Sequence, residues 1–311
     1  MQNQIICGDC IEVLDKVKEP FADLVFSDPP FNIGSKYDKY YDKKKEHNYI
    51  AWTREWMKAC KNALKPHGSF YIAIGDGYAA EVKIIADDIG LHLRNWIIWH
   101  YTFGQQTRNK FACAHTHIFY FVNDPKHFTF NDEAVRIPSD RQLVYNDKRA
   151  NPKGKMPDDV WSEFSRVCGT FKERTGWHPC QMPENLLKRI IAVSSNPDDV
   201  VLDPFCGSGT TAAACCQLNR NYVTIDISKQ YVENARKRLK NLNQKSSKNL
   251  FIEPSSMNEL KRLLCDIRKT PREIINDKHL LQIVTHQFKL RTNNHKQYSC
   301  EHIAAALKDL T

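Results

Sequence analysis

The chain has 311 residues, of which 41% are hydrophobic and 26% are charged, values that are ordinary for a soluble globular protein. This length allows one substantial core with a small appendage, and no apolar run reaches the roughly 18–20 residues that span a bilayer. We therefore exclude a membrane protein and expect a cytoplasmic one. The formal net charge of +9 favours a polyanionic partner.

Short apolar runs alternate with helical patterns over residues 1–242. The predicted strands are 5–7, 23–27, 69–74, 96–101, 118–122, 200–202 and 222–225. The predicted helices are 11–18, 49–64, 78–89, 184–194, 211–218 and 229–242. This alternation predicts an α/β fold with a doubly wound, mostly parallel sheet. The strands 96–101 and 118–122 leave no room for a helix between them, so we expect this pair to be antiparallel.

Residues 128–177 interrupt the alternation with basic and aromatic residues that show little hydrophobic periodicity. A long irregular segment inside a compact domain is usually functional or disordered, and the aromatic residues argue against disorder. We therefore predict that residues 1–242 form a catalytic domain in which 128–177 is an insert.

The C-terminal part is predicted to be a small helical extension over residues 249–311. Residues 243–248 read NQKSSK, a polar run that resembles a linker. Helical patterns follow over 257–267, 271–288 and 301–310. The sequence leaves open whether these helices form a structural cap, a subunit contact or a nucleic-acid contact.

The eleven cysteines are scattered among strand and helix patterns, as expected of reduced thiols in a cytosol. Cys7-Gly8-Asp9-Cys10 has the spacing of half a zinc site. Since no second pair of cysteines or histidines follows at zinc-site spacing, we predict structural thiols and no metal.

Two short signatures, each directly after an apolar run, describe one site. The first is Asp28-Pro29-Pro30-Phe31, and the second is Asp203-Pro204-Phe205-Cys206-Gly207-Ser208-Gly209-Thr210-Thr211. A strand, a glycine turn and a helix N-terminus can hold an anionic group with backbone N–H donors. A strand-end carboxylate, two prolines and a ring can accept hydrogen bonds from an amine and stack on a heterocycle. Together they indicate an enzyme that brings a nucleotide-like cofactor to the exocyclic amine of a base.

At these residues the chain resembles the beta group of S-adenosylmethionine-dependent DNA amino-methyltransferases, in which the Asp-Pro-Pro-aromatic motif precedes the glycine motif. The resemblance covers about residues 3–242 and includes 6–10 and 178–183. The family usually has His-Pro-Thr-Gln-Lys-Pro at the latter, where Cys180 and Met182 replace the threonine and the lysine. The resemblance implies a circularly permuted, Rossmann-like class I methyltransferase fold. The strands that end at residues 27 and 202 would then be central neighbours that open on a common crevice.

The resemblance also implies how the cofactor is held. Phe205 would lie against the adenosine, and backbone N–H groups of the glycine turn would hold the methionine carboxylate. Asp226 would bind the ribose hydroxyls, with a helix N-cap as the alternative. Asp9 would meet the adenine amine of the cofactor, with a turn or cap role as the alternative. The predicted S-adenosylmethionine-binding residues are Asp9, Cys10, Asp28, His178, Asp203, Phe205, Gly207, Ser208, Gly209, Thr210 and Asp226.

The predicted catalytic residues are Asp28, Pro29, Pro30 and Phe31. The carboxylate of Asp28 and the carbonyl of Pro29 can each accept one N–H of an exocyclic amine, which exposes the lone pair of the nitrogen. The two prolines stiffen the backbone and preorganise these acceptors. Phe31 can stack on a base that has been flipped out of the duplex. Transfer is then a direct in-line displacement.

Double-stranded DNA is the expected substrate, and basic residues are the candidates for its contacts. The resemblance implies that residues 128–177 are the target-recognition insert, with a plain surface insert as the alternative. These candidates are Lys36, Lys39, Arg136, Arg141, Arg149 and Arg166. The run 37–45 (YDKYYDKKK) could close over DNA or could be a solvated charge run. Trp52, Trp96 and Trp99 recur inside apolar patterns, so we predict them as core residues.

We predict a site-specific adenine-N6 DNA methyltransferase, a modification enzyme of the bacterial type. The closest alternative transfers to cytosine N4, because the same pair of acceptors serves either amine. Less favoured alternatives are an RNA or protein amine methyltransferase, which often has Asn-Pro-Pro, and a non-catalytic DNA-binding module. The resemblance leaves open a homodimer and a cognate restriction endonuclease as further partners.

Overall fold

A computed structural model describes residues 2–105, 107–145, 147–245, 254–292 and 298–310. The chain divides into two compact units: Met1–Phe130 with Asp159–Asn243, and Asn131–Asp158 with Gln244–Thr311. This division differs from the predicted one, because residues 131–158 group with the C-terminal helices and not with the catalytic domain. Residues 246–248 of the predicted linker, and the start of the predicted extension at 249–253, lie outside the described residues.

The first unit is built on an eight-stranded sheet. The strands are β1 (Gln4–Cys7), β2 (Ala22–Ser27), β3 (Leu64–Ile74), β4 (His92–Gln105), β5 (Cys113–Val122), β6 (Val160–Trp161), β7 (Val200–Asp203) and β8 (Asn221–Asp226). Their order in the sheet is β1-β8-β7-β2-β3-β5-β4-β6. The strands from β1 to β3 in this order run parallel, while β5 is antiparallel to both β3 and β4. The prediction of a mostly parallel sheet with an antiparallel pair is confirmed.

The centre of the sheet brings the two signatures together. Leu24 of β2 lies opposite Val201 of β7, and Val25 lies opposite Leu202. Every residue of these two strands is buried, as expected of central parallel strands that are covered on both faces. Their carboxyl ends therefore open on the same edge of the sheet, as the sequence predicts.

Helices connect the strands of the first unit, and other helices make up most of the second unit. Those of the first unit are α1 (Cys10–Leu14), α2 (Glu46–Ala63), α3 (Ala79–Asp88), α5 (Glu184–Ser194), α6 (Thr210–Gln217) and α7 (Lys229–Lys245), the last of which extends past residue 243. Those of the second unit are α4 (Asp140–Leu143), α8 (Pro254–Ile267), α9 (Pro271–Asn276), α10 (Lys278–Arg291) and α11 (Cys300–Lys308). Within the described residues, no helix is long and apolar enough to cross a membrane.

The second unit has its own apolar core, to which Leu260, Leu263, Val284, Phe288 and Ile303 contribute fully buried side chains. The prediction of one helix over 271–288 is wrong, because the chain breaks into α9 and α10 at Asp277. The Asp277 carboxylate accepts the N–H groups of His279 (2.9 Å) and Leu280 (3.0 Å). This side-chain cap begins a new helix and interrupts the previous one.

Buried charges join residues 131–158 to the C-terminal helices. Arg291 of α10 pairs with Asp266 (2.7 Å) and Glu259 (3.4 Å) and donates to the carbonyl of Arg136 (2.7 Å). Arg262 of α8 pairs with Glu259 (2.7 Å) and donates to the carbonyl of residue 134. These charge-assisted bonds to backbone carbonyls are the physical reason why residues 131–158 belong to this unit.

Candidate active site

The two signatures line a cavity of about 420 Å³ at the carboxyl ends of β2 and β7. The lining includes Asp28, Pro30, Asp203, Phe205, Gly207, Ser208, Thr210, Asp226, Asp9, Cys10, His178, Tyr37, Lys39, Tyr40 and Trp52. All of these residues belong to the first unit. The fold therefore brings the two signatures, which lie about 175 residues apart in the sequence, to one cavity.

The glycine turn between β7 and α6 has room only for glycine. Gly207 and Gly209 have φ angles of +47° and +73°, in the left-handed region that favours glycine. A Cβ at Gly207 would lie 2.9 Å from the imidazole of His178, and one at Gly209 would lie 2.8 Å from the Cβ of Ala235. The backbone thus forms a close cradle that leads directly into the N-terminus of a helix.

Asp203 stabilises this turn through hydrogen bonds to both of its carboxylate oxygens. Oδ1 accepts the backbone N–H of Phe205 (2.9 Å), and Oδ2 accepts the hydroxyl of Thr211 (2.5 Å). Burial raises the pKa of Asp203 to about 7, although both hydrogen bonds act in the opposite direction. Asp203 therefore ties the start of the turn to the first turn of α6.

Asp226 holds the other side of the turn and lines the cavity. Its Oδ2 accepts the N–H of Gly207 (2.8 Å), and its Oδ1 accepts the N–H of Ser228 (2.8 Å). Burial raises the pKa of Asp226 to about 6. The alternative of an N-cap at Asp226 finds no support, because the Ser228 hydroxyl accepts the N–H of Tyr231 in the first turn of α7. The predicted contact with ribose stays a prediction.

Asp9 caps α1 and lies at the cavity as well. Its Oδ1 accepts the N–H groups of Ile11 (2.8 Å) and Glu12 (3.4 Å). The alternative prediction of a helix cap is therefore correct for this oxygen. Next to it, burial raises the pKa of the Cys10 thiol to about 12, which keeps it protonated. The predicted cofactor contacts of both residues stay predictions.

The catalytic signature turns at the end of β2. Asp28 and Pro30 line the cavity, whereas Pro29 and Phe31 are not among its described lining residues. The ring of Phe31 packs on Gly75, where a Cβ would lie 3.1 Å from it. Stacking of Phe31 on a base therefore stays a prediction.

The electrostatic state of Asp28 distinguishes this carboxyl from a surface one. Burial, and to a lesser extent the charge of Asp203, raise the pKa of Asp28 to about 8. With Asp226, three strand-end carboxyls thus share a cavity in which ionisation is costly. A cationic ligand or amine donors would relieve that cost, because either stabilises the charged form.

Asp28→Asn is expected to stabilise the ligand-free protein by about 1–3 kcal/mol at pH 8.5. A carboxyl whose folded pKa lies above its unfolded value contributes stability at low pH that is lost as pH rises through the folded pKa. For Asp28 this loss develops between about pH 4 and pH 8. The gain in the free energy of unfolding, measured by urea denaturation, should be smaller at pH 5 than at pH 8.5. If the gain is absent, or is equal at both pH values, the pKa of Asp28 is not raised by burial.

The loop after the catalytic motif is fixed by residues that the sequence analysis missed. The buried Asp42 carboxylate accepts the N–H groups of Asn32 (2.7 Å) and Ser35 (2.8 Å). The Asn32 side chain donates to the hydroxyl of Tyr78 (2.8 Å). Tyr49 of α2 donates its hydroxyl to the carbonyl of Pro30 (2.6 Å). These contacts hold the turn from both sides. In the sequence, a turn at this place is indicated by Asn32 and Gly34 directly after the motif, since asparagine and glycine favour turns.

The run 37–45 folds against the cavity, so it is not a purely solvated charge run. Tyr37, Lys39, Tyr40, Tyr41 and Lys44 all line the cavity. Cation–π contacts place the Lys44 ammonium 5.2 Å from the ring centroid of Tyr40. The cavity therefore has a wall of aromatic rings and ammonium groups, on which a flat base can stack.

Trp52 belongs to this aromatic wall. Its ring centroid lies 5.4 Å from that of Tyr40 and 5.8 Å from that of Phe205. The prediction of Trp52 as a core residue is therefore incomplete, and that of Trp96, which is 40% exposed, is wrong. Trp99 is buried, as predicted.

His178 lies beneath the glycine turn as a neutral residue. Its Nδ1–H donates to the carbonyl of Cys180 (2.9 Å), and its ring packs on Gly207 and Tyr231. Burial lowers the pKa of His178 to about 4. Cys180 and Met182, which replace the usual threonine and lysine, also line the cavity.

The six basic residues predicted to contact DNA fall into different environments. Lys36, Lys39 and Arg166 are exposed in the first unit, where the Arg166 guanidinium lies 5.6 Å from the ring of Tyr101. In the second unit, Arg141 and Arg149 are exposed and share Asp147.

Arg136 differs from the other five, because it is partly buried and bonded within the second unit. It pairs with Asp132 (2.8 Å) and donates to the carbonyl of Gly154 (3.1 Å). These bonds hold Arg136 within the second unit, and its predicted DNA contact stays a prediction.

The sheet order, the glycine cradle and the strand-end carboxyls define a class I methyltransferase fold. Two solved structures support the fold: the M1.HpyAVI–SAM complex (TM-score 0.55, 24% identity, 76% of this chain and 98% of that one) and the PvuII cytosine-N4-specific DNA methyltransferase (TM-score 0.59, 20% identity, 85% and 93%).

Sequence comparison identifies the family. A DNA methylase family model matches residues 22–237. Type II methyltransferase M.HpaI of Haemophilus parainfluenzae is 40% identical over 240 residues, 77% of this chain and 74% of that protein. DNA adenine methyltransferase YhdJ of Escherichia coli K12 is 36% identical over 245 residues, 76% and 82%. The chain belongs to this family and is an S-adenosylmethionine-dependent DNA amino-methyltransferase.

Proposed function

We propose that this protein methylates the N6 amine of adenine at a specific site in double-stranded DNA. The observation that carries the proposal is the shared cavity, on which the Asp28 turn and the glycine cradle both open. The similarity to a relative named as a DNA adenine methyltransferase supports adenine as the base. We further propose that the reaction takes place in the cytoplasm, where bacterial DNA lies.

The residues present fit S-adenosylmethionine. The backbone at Ser208–Thr211 would hold its carboxylate at the start of α6, and Asp226 has lone pairs left for the ribose hydroxyls. Phe205, edge-on to Trp56 at 5.2 Å, would cover the adenosine. When bound, the cofactor supplies an electrophilic methyl group on a sulfonium, whose positive charge suits a cavity with three carboxyls.

At the acceptor, Asp28 and the carbonyl of Pro29 would each take one N–H of the amine. This pulls the nitrogen toward tetrahedral geometry and directs its lone pair at the methyl group. The Tyr49–Pro30 hydrogen bond keeps the turn in place before the substrate arrives, which is electrostatic preorganisation. During transfer, Asp28 would take up the surplus proton of the amine and pass it to water. The pKa of about 8 belongs to the ligand-free cavity, and the sulfonium charge would lower it, so that Asp28 would accept the proton as a carboxylate.

Because a duplex hides N6, we propose that the adenine is flipped into the cavity. Unstacking costs a few kcal/mol, and stacking against Tyr37, Tyr40 or Trp52 would recover part of that cost. A duplex with 2-aminopurine at the target position should become brighter when the protein binds. Unchanged fluorescence at saturation would contradict flipping.

We propose that exposed arginines and lysines hold the DNA. Arg141, Arg149 and Arg166 are the candidates for base or phosphate contacts, and Lys36 and Lys39 for phosphates near the cavity. The relatives named as type II methyltransferases support a role in a restriction-modification system. A cognate endonuclease and a homodimer stay predictions, which co-purification and analytical ultracentrifugation would test.

Cytosine N4 is the second candidate, because the same two acceptors serve either amine and one structural neighbour is named as cytosine-N4-specific. Nucleosides from the DNA of a host that expresses the protein should contain N6-methyladenine, and methylome sequencing should place it at one motif. N4-methylcytosine in its place would refute the adenine assignment. The matched control is the same host expressing Asp28→Ala.

A further inference from the structure

A second cluster of chemically active side chains lies at the end of β3 and the start of β5. The Asp76 carboxylate lies 3.2 Å from the Cys113 thiol and 3.1 Å from Nε2 of His115. One donor atom from each of these three residues lies within 4.8 Å of the other two. The antiparallel register, in which Ile74 faces His117, explains the proximity. Residues 113, 115 and 117 share one face of β5, because side chains alternate along a strand.

His117 occupies a position behind this cluster. Its Nδ1 lies 2.9 Å from the indole nitrogen of Trp96, which can only donate. In the neutral ring the proton is therefore on Nε2, which lies 3.0 Å from the carboxylate of Asp76. His117 thus donates to Asp76 and orients it. Asp76, Cys113 and His115 thus present three donor atoms, and His117 forms a hydrogen bond to one of these residues, Asp76. Metal sites commonly have such a second residue that orients a ligand.

We propose that Asp76, Cys113 and His115 bind one transition-metal ion of the zinc type, with the fourth position open to water. Thiolate, imidazole and carboxylate together form a zinc-type donor set, whereas Mg²⁺ and Ca²⁺ select oxygen ligands alone. The two separations from the Asp76 carboxylate, 3.2 Å to the thiol and 3.1 Å to the imidazole, are close to those between neighbouring ligands of one tetrahedral ion. The ion would bind the thiolate of Cys113 and a lone pair of the neutral imidazole of His115, so the thiol proton is released to water on binding.

The proposed ion would lie beside the catalytic turn and outside the cofactor cavity. Asp76 directly follows Gly75, on which the ring of Phe31 packs. Among the described residues that line the cavity, none of the three ligands is present. The ion would therefore join the ends of β3 and β5 under the turn without taking part in methyl transfer. This site also differs from Cys7-Gly8-Asp9-Cys10, the only cysteine pair that the sequence suggested for a metal.

Titration of the metal-free full-length protein with Co²⁺ tests the proposal. One equivalent should produce the thiolate-to-cobalt charge-transfer absorption, and Zn²⁺ should displace the Co²⁺. Cys113→Ser and His115→Gln should abolish this absorption at one equivalent. His117→Phe should keep the stoichiometry but weaken the affinity for Zn²⁺ by about 10–100-fold, because the partner that orients Asp76 is lost.

Cys168→Ser is the matched control, since Cys168 is another partly exposed thiol of the first unit. It should bind Co²⁺ as the unmodified protein does, and circular dichroism should show that each variant is folded. An absence of the absorption in the unmodified protein, or its persistence in Cys113→Ser, would overturn the proposal. So would its loss in Cys168→Ser. Since none of these measurements involves DNA or S-adenosylmethionine, they fail or succeed independently of the proposed methylation.

Discussion

Asp28→Ala should bind S-adenosylmethionine and remain folded, yet lose methyl transfer by about 10²–10³-fold or more. Alanine removes the acceptor that orients the amine and takes its proton, while the glycine cradle at the end of β7 is untouched. Asp28→Asn keeps one acceptor oxygen and should retain more activity than the alanine variant. Single-turnover transfer from labelled cofactor to duplex DNA measures the rate, and calorimetry measures cofactor affinity.

Asp15→Ala is the control for that comparison, because Asp15 is an exposed carboxylate at the end of α1 in the same unit. It should transfer methyl groups at the unmodified rate. If the rate for Asp28→Ala is within about tenfold of the control, Asp28 is not a catalytic residue. A cofactor affinity lost together with the rate would instead make it a binding residue.

Arg291→Ala should disrupt the second unit and weaken DNA binding while cofactor affinity in the first unit persists. The Arg291 side chain is fully buried between Glu259 and Asp266 and also bonds the carbonyl of Arg136. Its removal takes a buried cation away from Asp266 and Glu259, the second of which still pairs with Arg262, and breaking such a buried network costs about 3–5 kcal/mol. Since Arg141 and Arg149 belong to that unit, we expect the DNA contacts of these two arginines to be lost with it.

Urea denaturation, fluorescence anisotropy with duplex DNA and calorimetry with the cofactor would measure these three effects. Arg272→Ala is the matched control, because Arg272 is exposed on α9 and its loss should change stability by less than about 0.5 kcal/mol. Unimpaired DNA binding by a destabilised Arg291→Ala would show that recognition does not depend on the second unit.

The sequence predicts the sheet well because its central strands contain the short apolar runs 24–26 and 200–202 and its helices have regular apolar faces. It does not predict β6, since two residues carry no periodicity. It merges α9 with α10 because apolar residues continue across the break, while Asp277 stops the helix with its side chain. The grouping of residues 131–158 with the C-terminal helices depends on buried ion pairs between distant positions, which local patterns do not reveal.

Some residues of the site can be predicted from the local sequence, and others are revealed only by contacts between distant residues. The strand-end rule finds Asp28, Asp203 and Asp226, because each directly follows an apolar strand. It cannot find Tyr49 or Asp42, whose roles depend on hydrogen bonds to a turn that lies elsewhere in the sequence. Trp52 fits the helical pattern of α2, and only the folded loop shows that it lines the cavity.

Methyl transfer to a duplex that lacks only the target amine tests the central claim most directly. Once methylome sequencing has given the motif, its adenine is replaced by purine without the 6-amino group, and labelled S-adenosylmethionine supplies the methyl group. The account predicts transfer to the unmodified duplex and no transfer to the substituted one, although both should bind. Undiminished transfer to the substituted duplex, with the label on cytosine, would contradict adenine N6 as the acceptor and establish the cytosine-N4 reaction.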